Sequence, residues 1–371
     1  MSIYRARASV TVRGKDVLRG FIAAVAVVLA GASAPSAARA QDTAGGAITT
    51  SIQLEAAVEI ANTLPRLYSL LVSRDGALLV EEYFNGKGPS SIANVKSASK
   101  SVISGLVGIA IEAGHIQSVD QPIGDFFGEA LAGDANERKA DITIGDLLTM
   151  QSGLETTSNR NYGAWVQSRD WVGFALAQPV EYPPGALMEY STGNTHLLSA
   201  ILTIATGKST LAFARETLGE PLGFHLAQWP QDPQGIFFGG NDMEFTPRQM
   251  LAFGELYLNG GRGNGRQIIP AEWVDESLQA RAVSTRESGR YYGYGWWLRE
   301  MAGFMTSFAW GYGGQFIVLV PELDLVIVTT SSSYPSDERR PHLRQLYDLM
   351  EHLVIARVSD ATATAVTTGP Q

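Results

Sequence analysis

The chain of 371 residues contains no cysteine. That absence excludes a thiolate nucleophile, a disulfide framework, iron–sulfur clusters, cysteine-ligated zinc and lipobox acylation. Charge is sparse as well: 18% of residues are Asp, Glu, Lys or Arg, only six are lysine, and the formal balance is −9. An acidic chain of this kind is not held to nucleic acid or to an anionic membrane by charge. The five histidines, His115, His196, His225, His342 and His352, show no His-x-x-x-His or His-Glu spacing. They read as scattered surface or helix residues; no metal site and no cofactor is expected. No Gly-x-Ser-x-Gly elbow occurs, and Gly207-Lys208-Ser209 lacks the upstream glycine of a phosphate loop, because Leu202 stands there. What the sequence does have is 45% hydrophobic residues, enough for an enzyme-sized core.

The N-terminus reads as a processing signal. Arg5, Arg7, Arg13, Lys15 and Arg19 form a basic region, Phe21 to Ala32 is an uncharged apolar run, and Ala38-Arg39-Ala40 has the small-x-small cleavage pattern. A spanning helix needs roughly 20 apolar residues; this run is shorter and Pro35 follows it, which disfavours a retained anchor. Residues 1–40 are therefore expected to be a secretory signal, leaving a chain with 22 basic and 36 acidic residues, a net charge of −14. A periplasmic or secreted protein without a stable membrane anchor follows.

Tyr68–Val72 and Ala77–Val80 flank Ser73-Arg74-Asp75-Gly76, and an Asp-Gly turn between apolar runs predicts a hairpin. Phe316–Val320 and Leu325–Thr329 flank Pro321-Glu322-Leu323-Asp324, a second antiparallel pair whose continuous apolar strands predict a sheet covered on both faces. Between them the periodicity predicts helices over Ser99–Ala113, Ile144–Met150, Asn194–Thr206 and Pro247–Leu258, and a further one over Pro341–Val358. The economical architecture is α+β: one domain over 41–358, with an antiparallel sheet from both chain ends (about 53–95 and 290–358) and a mainly helical insertion (about 96–289). The Thr- and Ala-rich tail, 359–371, is expected to be disordered.

Ser97-Ala98-Ser99-Lys100 opens the first of these helices. Residues three apart share a helical face, so the amine can reach the hydroxyl. The helix N-terminus favours an alkoxide and disfavours an ammonium. A Ser-x-x-Lys is short enough to arise by chance; the weight here comes from a rare lysine set among apolar and small neighbours. Tyr190-Ser191-Thr192 precedes the Asn194–Thr206 pattern, and a phenol near a shared lysine proton can serve as general base and then general acid, although most such tyrosines are packing residues. Trp310-Gly311-Tyr312-Gly313-Gly314-Gln315 leads into the second hairpin. Glycines there admit a substrate backbone, and a main-chain N–H can join that of Ser97 to hold an oxyanion; otherwise such a run is simply a turn.

With these three elements in this order the chain resembles the serine hydrolases of the penicillin-recognising, class C β-lactamase-like superfamily, over about residues 53–356. Ile142–Leu154, Tyr292–Trp297 and Pro321–Leu325 look like the same family. Arg169-Asp170-Trp171-Val172, Tyr190–Leu198 and Gly311–Gln315 look most like the branch containing 6-aminohexanoate-dimer hydrolase and related esterases. The resemblance implies a β-lactamase/transpeptidase-like fold, Ser97 as acylated nucleophile, Lys100 as its activating partner, Tyr190 as proton shuttle, and the N–H groups of Ser97 and Tyr312 as oxyanion hole. It also nominates Trp171, Asp170, Asn194, Trp310 and Gly311 for substrate binding, and a small ester, amide or peptide as substrate.

Two departures matter. Ala309-Trp310-Gly311 stands where β-lactamases carry Lys-Thr-Gly, so the cation and hydroxyl for a substrate carboxylate are missing. The tyrosine motif ends in Thr192 rather than Asn, leaving open whether Asn194 substitutes. A D-Ala-D-Ala carboxypeptidase or class C-type β-lactamase is the first alternative, and a non-catalytic binding or sensor module the second. Asp146, Asp242 and Glu244 are candidates for substrate contact or for capping and ion pairing. Trp165, Trp171, Trp296, Trp297 and Trp310 are candidates for the cleft wall, with core packing the plainer role for Trp296 and Trp297.

Overall fold

The computed structural model describes residues 54–133 and 137–367, so the expected signal segment lies outside the described residues. Among the described residues, twelve strands form. The principal ones are β1 (Leu67–Arg74), β2 (Ala77–Tyr83), β9 (Trp297–Met301), β10 (Phe304–Gly311), β11 (Gln315–Val320) and β12 (Leu325–Ser331). Shorter ones are β3 (Ala93–Asn94), β4 (Glu244–Phe245), β5 (Arg262–Gly263), β6 (Arg266–Gln267), β7 (Ala282–Val283) and β8 (Arg290–Tyr292). Eight make one sheet in the order β2-β1-β12-β11-β10-β9-β8-β7. The two chain ends meet where β1 pairs antiparallel with β12, Val72 opposite Ile327.

Local chemistry explains the joints. Asp75 and Gly76 both take positive φ (50° and 70°) between β1 and β2, the backbone a two-residue hairpin with right-handed strand twist requires. The Pro247–Leu258 helix starts at a capping box, Thr246 with Gln249, and Pro247 occupies its first turn.

Every residue of β11 and β12 is buried, and side chains alternate between two cores. Ile317, Leu319, Val326 and Val328 join the core under the helical insertion. Phe316, Val318, Leu325 and Ile327 join a second core under the Glu55–Asn62 helix and the C-terminal helices. The Ser99–Glu112 helix is buried on all sides from Ser99 to Ala110; it is a central rod, which fixes what stands at its start.

The tail differs from expectation. The C-terminal helix does not end at Val358: a wider-turned stretch at Leu349–Ile355 continues into a helix over Ala356–Thr367. Val354, Ile355, Val358 and Ala361 are buried at helical spacing, and Arg74 donates to the Thr362 hydroxyl at 2.9 Å. Composition suggested disorder, but apolar periodicity and alanine's helix propensity carry the helix on.

Candidate active site

Ser97 sits at the joint between a strand and the central helix. β3 pairs with β4, Asn94 opposite Glu244, and the Val95 N–H donates to Met243 O at 2.9 Å. Lys96 then takes φ +50°, a left-handed conformation that costs a non-glycine residue roughly 1–2 kcal/mol. Its surroundings hold it there: the Lys96 N–H donates to Asn94 Oδ1 (2.9 Å), while Asn94 Nδ2 and Lys96 Nζ both reach Asp242 Oδ1 (2.9 and 2.7 Å). The chain turns through Lys96–Ala98 in one 3₁₀ turn and enters the helix at Ser99, leaving Ser97 half-buried at the helix start.

Lys100 is 1% exposed. Its Nζ lies 3.2 Å from Ser97 Oγ, 2.5 Å from the Gly240 carbonyl oxygen and 3.4 Å from Thr192 Oγ1. Burial pulls the amine down from 10.5 to about 7, against the opposing pull of the Asp242 carboxylate. A neutral amine has two N–H donors and one lone pair. With the donors directed at Gly240 O and Thr192 Oγ1, the lone pair remains for Ser97.

Tyr190 comes from a distant segment and converges on the same point. Lys100 Nζ lies 4.9 Å from its ring centroid. Burial pushes the phenol well above its usual range, and contact with Ser97 pulls the other way. The ring is stacked on Trp297 (5.5 Å, 20°) and meets Tyr292 edge-on (6.2 Å). The stretch Ser152–Ser158 cradles this segment: Thr156 donates to Tyr190 O (2.8 Å), Gly193 N donates to Thr157 Oγ1 (2.8 Å), and Thr192 N donates to Ser158 Oγ (2.9 Å).

On the opposite side, the end of β10 lies against the nucleophile turn. A Cβ on Gly311 would fall 2.0 Å from the Val95 carbonyl oxygen, so only glycine allows this approach. The approach packs Gly311 against the backbone two residues before Ser97, and the turn is completed by Gly313 and Gly314 at φ 94° and 109°. Gly311→Ala is expected to force β10 away from Val95 and destabilise the protein by about 1–3 kcal/mol, seen as a lowered Tm in thermal unfolding.

Ser97, Lys100 and Tyr190 are thus brought together, with Gly311 against the turn that carries Ser97, and four other nominated residues are not. Asp170 is exposed and caps the Trp171–Leu176 helix, accepting from Gly173 N at 2.7 Å. Trp171 is buried in a ring cluster with Trp165, His196 and Phe238; both tryptophans are core rather than cleft wall because their rings fill the space behind the Thr192–Thr206 helix. Asn194 is buried with Oδ1 accepting from Ser152 at 3.1 Å, and Thr192 holds the place beside Lys100 instead. Trp310 alternates away from the nucleophile, stacked on Phe316 (6.5 Å) and edge-on to Trp297 (6.4 Å). Trp296 packs on Phe253 and Tyr257 in the core. Asp146 belongs to the capping box of the Ile144–Leu148 helix.

Three groups at the site escaped sequence reasoning. Gly240 contributes a backbone carbonyl, which no residue type announces. Thr192 is visible as the last residue of the tyrosine motif, but its contact with Lys100 is not. Ser158, bonded to Thr192 Oγ1 at 2.9 Å, lies 34 residues upstream without a pattern of its own.

Comparison with known proteins bears on the family and the fold. The chain is 25% identical over 316 residues to 6-aminohexanoate-dimer hydrolase of Paenarthrobacter ureafaciens, covering 79% of each. Among solved structures it superposes on a D-stereospecific amidohydrolase from Streptomyces at TM-score 0.61 and 17% identity, covering 82% of this chain and 98% of that one. It superposes on a hydrolase with promiscuous acyltransferase activity, also at TM-score 0.61 and 17% identity, covering 84% of this chain and 100% of that one; at such identities the likeness establishes fold. The sequence profile of the beta-lactamase family matches residues 68–350, from the first strand to the C-terminal helix, and the chain belongs to that family of serine hydrolases.

Proposed function

We propose that the protein hydrolyses a small ester, amide or peptide bond through an acyl-enzyme on Ser97. The observation that carries this reading is the buried amine of Lys100, brought to about 7 and 3.2 Å from Ser97 Oγ. Lys100 takes the Ser97 proton as Ser97 Oγ bonds to the substrate carbonyl carbon. The N–H groups of Ser97 and Tyr312 hold the resulting oxyanion. Tyr190 gives its proton to the leaving oxygen or nitrogen as the bond to it breaks, and is reprotonated from Lys100. Water then attacks the acyl group, its proton returning through the same groups. The high affinity of Tyr190 for its proton suits it to the acid step and leaves the base step to Lys100.

An ester or amide is preferred over a β-lactam because Ala309 is buried and Trp310 turns to the other face of β10. Nothing at these two positions supplies the cation and hydroxyl that would bind a carboxylate there. The N-terminal pattern supports export to the periplasm or medium, free of a membrane anchor.

Incubation with a fluorophosphonate probe is expected to add one label, located by peptide mass spectrometry on Ser97, and Ser97→Ala is expected to take none. Labelling elsewhere, or none on the parent, overturns the reading. A panel of esters, amides, D-amino peptides and nitrocefin then assigns the substrate class; rapid nitrocefin turnover would favour the β-lactamase alternative.

A further inference from the structure

His196 and Asp232 form a fully enclosed pair, both side chains 0% exposed, with Nε2 2.9 Å from Oδ2. His196 stands on the Thr192–Thr206 helix one turn beyond Thr192. Asp232 Oδ1 accepts from the N–H groups of Gln234 and Ile236, each at 2.8 Å. Burial pushes the carboxyl up, but the bonds from His196, Ile236 and Gln234 hold it below its usual value. A carboxylate only accepts, so Nε2 carries the ring proton and Nδ1 presents its lone pair. That lone pair faces the Gly239 N–H at 3.5 Å. One residue further along the chain, the Gly240 carbonyl oxygen meets Lys100 Nζ at 2.5 Å.

The two glycines make this relay possible. A Cβ on Gly239 would lie 2.0 Å from Thr195 O, and one on Gly240 would lie 2.4 Å from Thr195 Oγ1 and 2.7 Å from Thr192 Cγ2. The peptide is pressed onto the helix that carries both His196 and Thr192. Trp165, Trp171 and Phe238 close the remaining sides of the imidazole at 5.4–5.9 Å, and Asp232 is the titratable group that faces it.

We propose that His196 and Asp232 are positioning residues for Lys100, holding the Gly239-Gly240 segment so that the Gly240 carbonyl takes one N–H and leaves the Nζ lone pair aimed at Ser97. This rests on the reading of Ser97 and Lys100 as the reacting pair. The histidine acts through the backbone and touches neither substrate nor the reacting atoms.

Asp232→Asn is the sharpest perturbation. The carboxamide oxygen keeps the two loop N–H groups and its NH₂ faces Nε2. The imidazole must then carry its proton on Nδ1, donor against the Gly239 donor. With Gly240 O displaced, kcat/KM per active site is expected to fall about a hundredfold, the scale of a misplaced reacting group. The acid limb of its pH profile is expected to move to lower pH, because the protonated Lys100 loses its shortest acceptor while Asp242 and Tyr190 still face it. Counting sites with the fluorophosphonate probe removes any loss of folded protein from the comparison. His196→Gln, which can donate to Asp232 and accept from Gly239, is expected to retain more activity than His196→Leu. An unmoved acid limb with kcat/KM within twofold of the parent overturns the proposal. So does a ¹⁵N spectrum of the unreacted parent showing the His196 proton on Nδ1. That measurement involves neither catalysis nor a variant, so it separates failure of the positioning role from failure of the Ser97 reading.

Discussion

Replacing Lys100 with methionine is expected to cost roughly four orders of magnitude in kcat/KM and, at pH 7, to raise the melting temperature. The amine is stable in water at 10.5 and is brought to about 7 by burial. Between those values the unfolded chain holds a proton that the folded chain has released, so unfolding takes up protons and stability rises with pH through this window. At pH 7 the penalty is on the order of 4–5 kcal/mol, from a shift of about 3.5 pKa units at 1.36 kcal/mol each. Methionine fills similar volume without that penalty. It leaves Gly240 O and Thr192 Oγ1 without the amine, a loss of about 1–2 kcal/mol. A net gain of a few kcal/mol remains near neutrality and shrinks as pH rises toward 10. The parent should show the counterpart in rate, kcat/KM climbing with pH to a plateau with a midpoint near 7, where Lys100 becomes neutral. Calorimetry of parent and variant from pH 6 to 9, beside a pH–rate profile, checks both halves. A destabilised Lys100→Met variant would mean that the amine is held as a paired cation.

The sequence made the sheet legible because its signals are local or periodic. The Asp75-Gly76 turn, the apolar runs of β11 and β12 and the capped Pro247–Leu258 helix each carry their own physics. The Ser97–Lys100 spacing was readable for the same reason, since a helix brings residues three apart together without help. What stayed hidden depends on the tertiary path of the backbone. The Gly240 carbonyl has no side chain to announce it, and Ser158 meets Thr192 only because the Ser152–Ser158 stretch folds over the start of the helix. His196 looked like one of five scattered histidines, yet its partner stands 36 residues away. Asp170 and Trp171 erred the other way: polar and aromatic residues in a family-like stretch suggested a cleft, but local capping and ring packing had already engaged them.

Tyr190→Phe separates proton donation from packing, and its effect is expected to depend on the leaving group. Phenylalanine keeps the ring that stacks on Trp297 and meets Tyr292, so fold and melting temperature should change little. What disappears is a hydroxyl that burial holds protonated where Lys100 is already neutral. Expulsion of an amine from a tetrahedral intermediate needs a proton, so hydrolysis of an alkyl amide is expected to slow by about 10³, within the range for general acid catalysis. A p-nitrophenolate leaves as a stable anion and needs little help, so the same variant should lose only about tenfold on a p-nitrophenyl ester. An alkyl ester, whose leaving alkoxide is strongly basic, should behave like the amide. Measuring kcat/KM for the three substrates gives a slope against leaving-group basicity that steepens in the variant if Tyr190 is the acid. An equal loss on all three would place its contribution before bond cleavage, in orienting Ser97 toward the Lys100 lone pair.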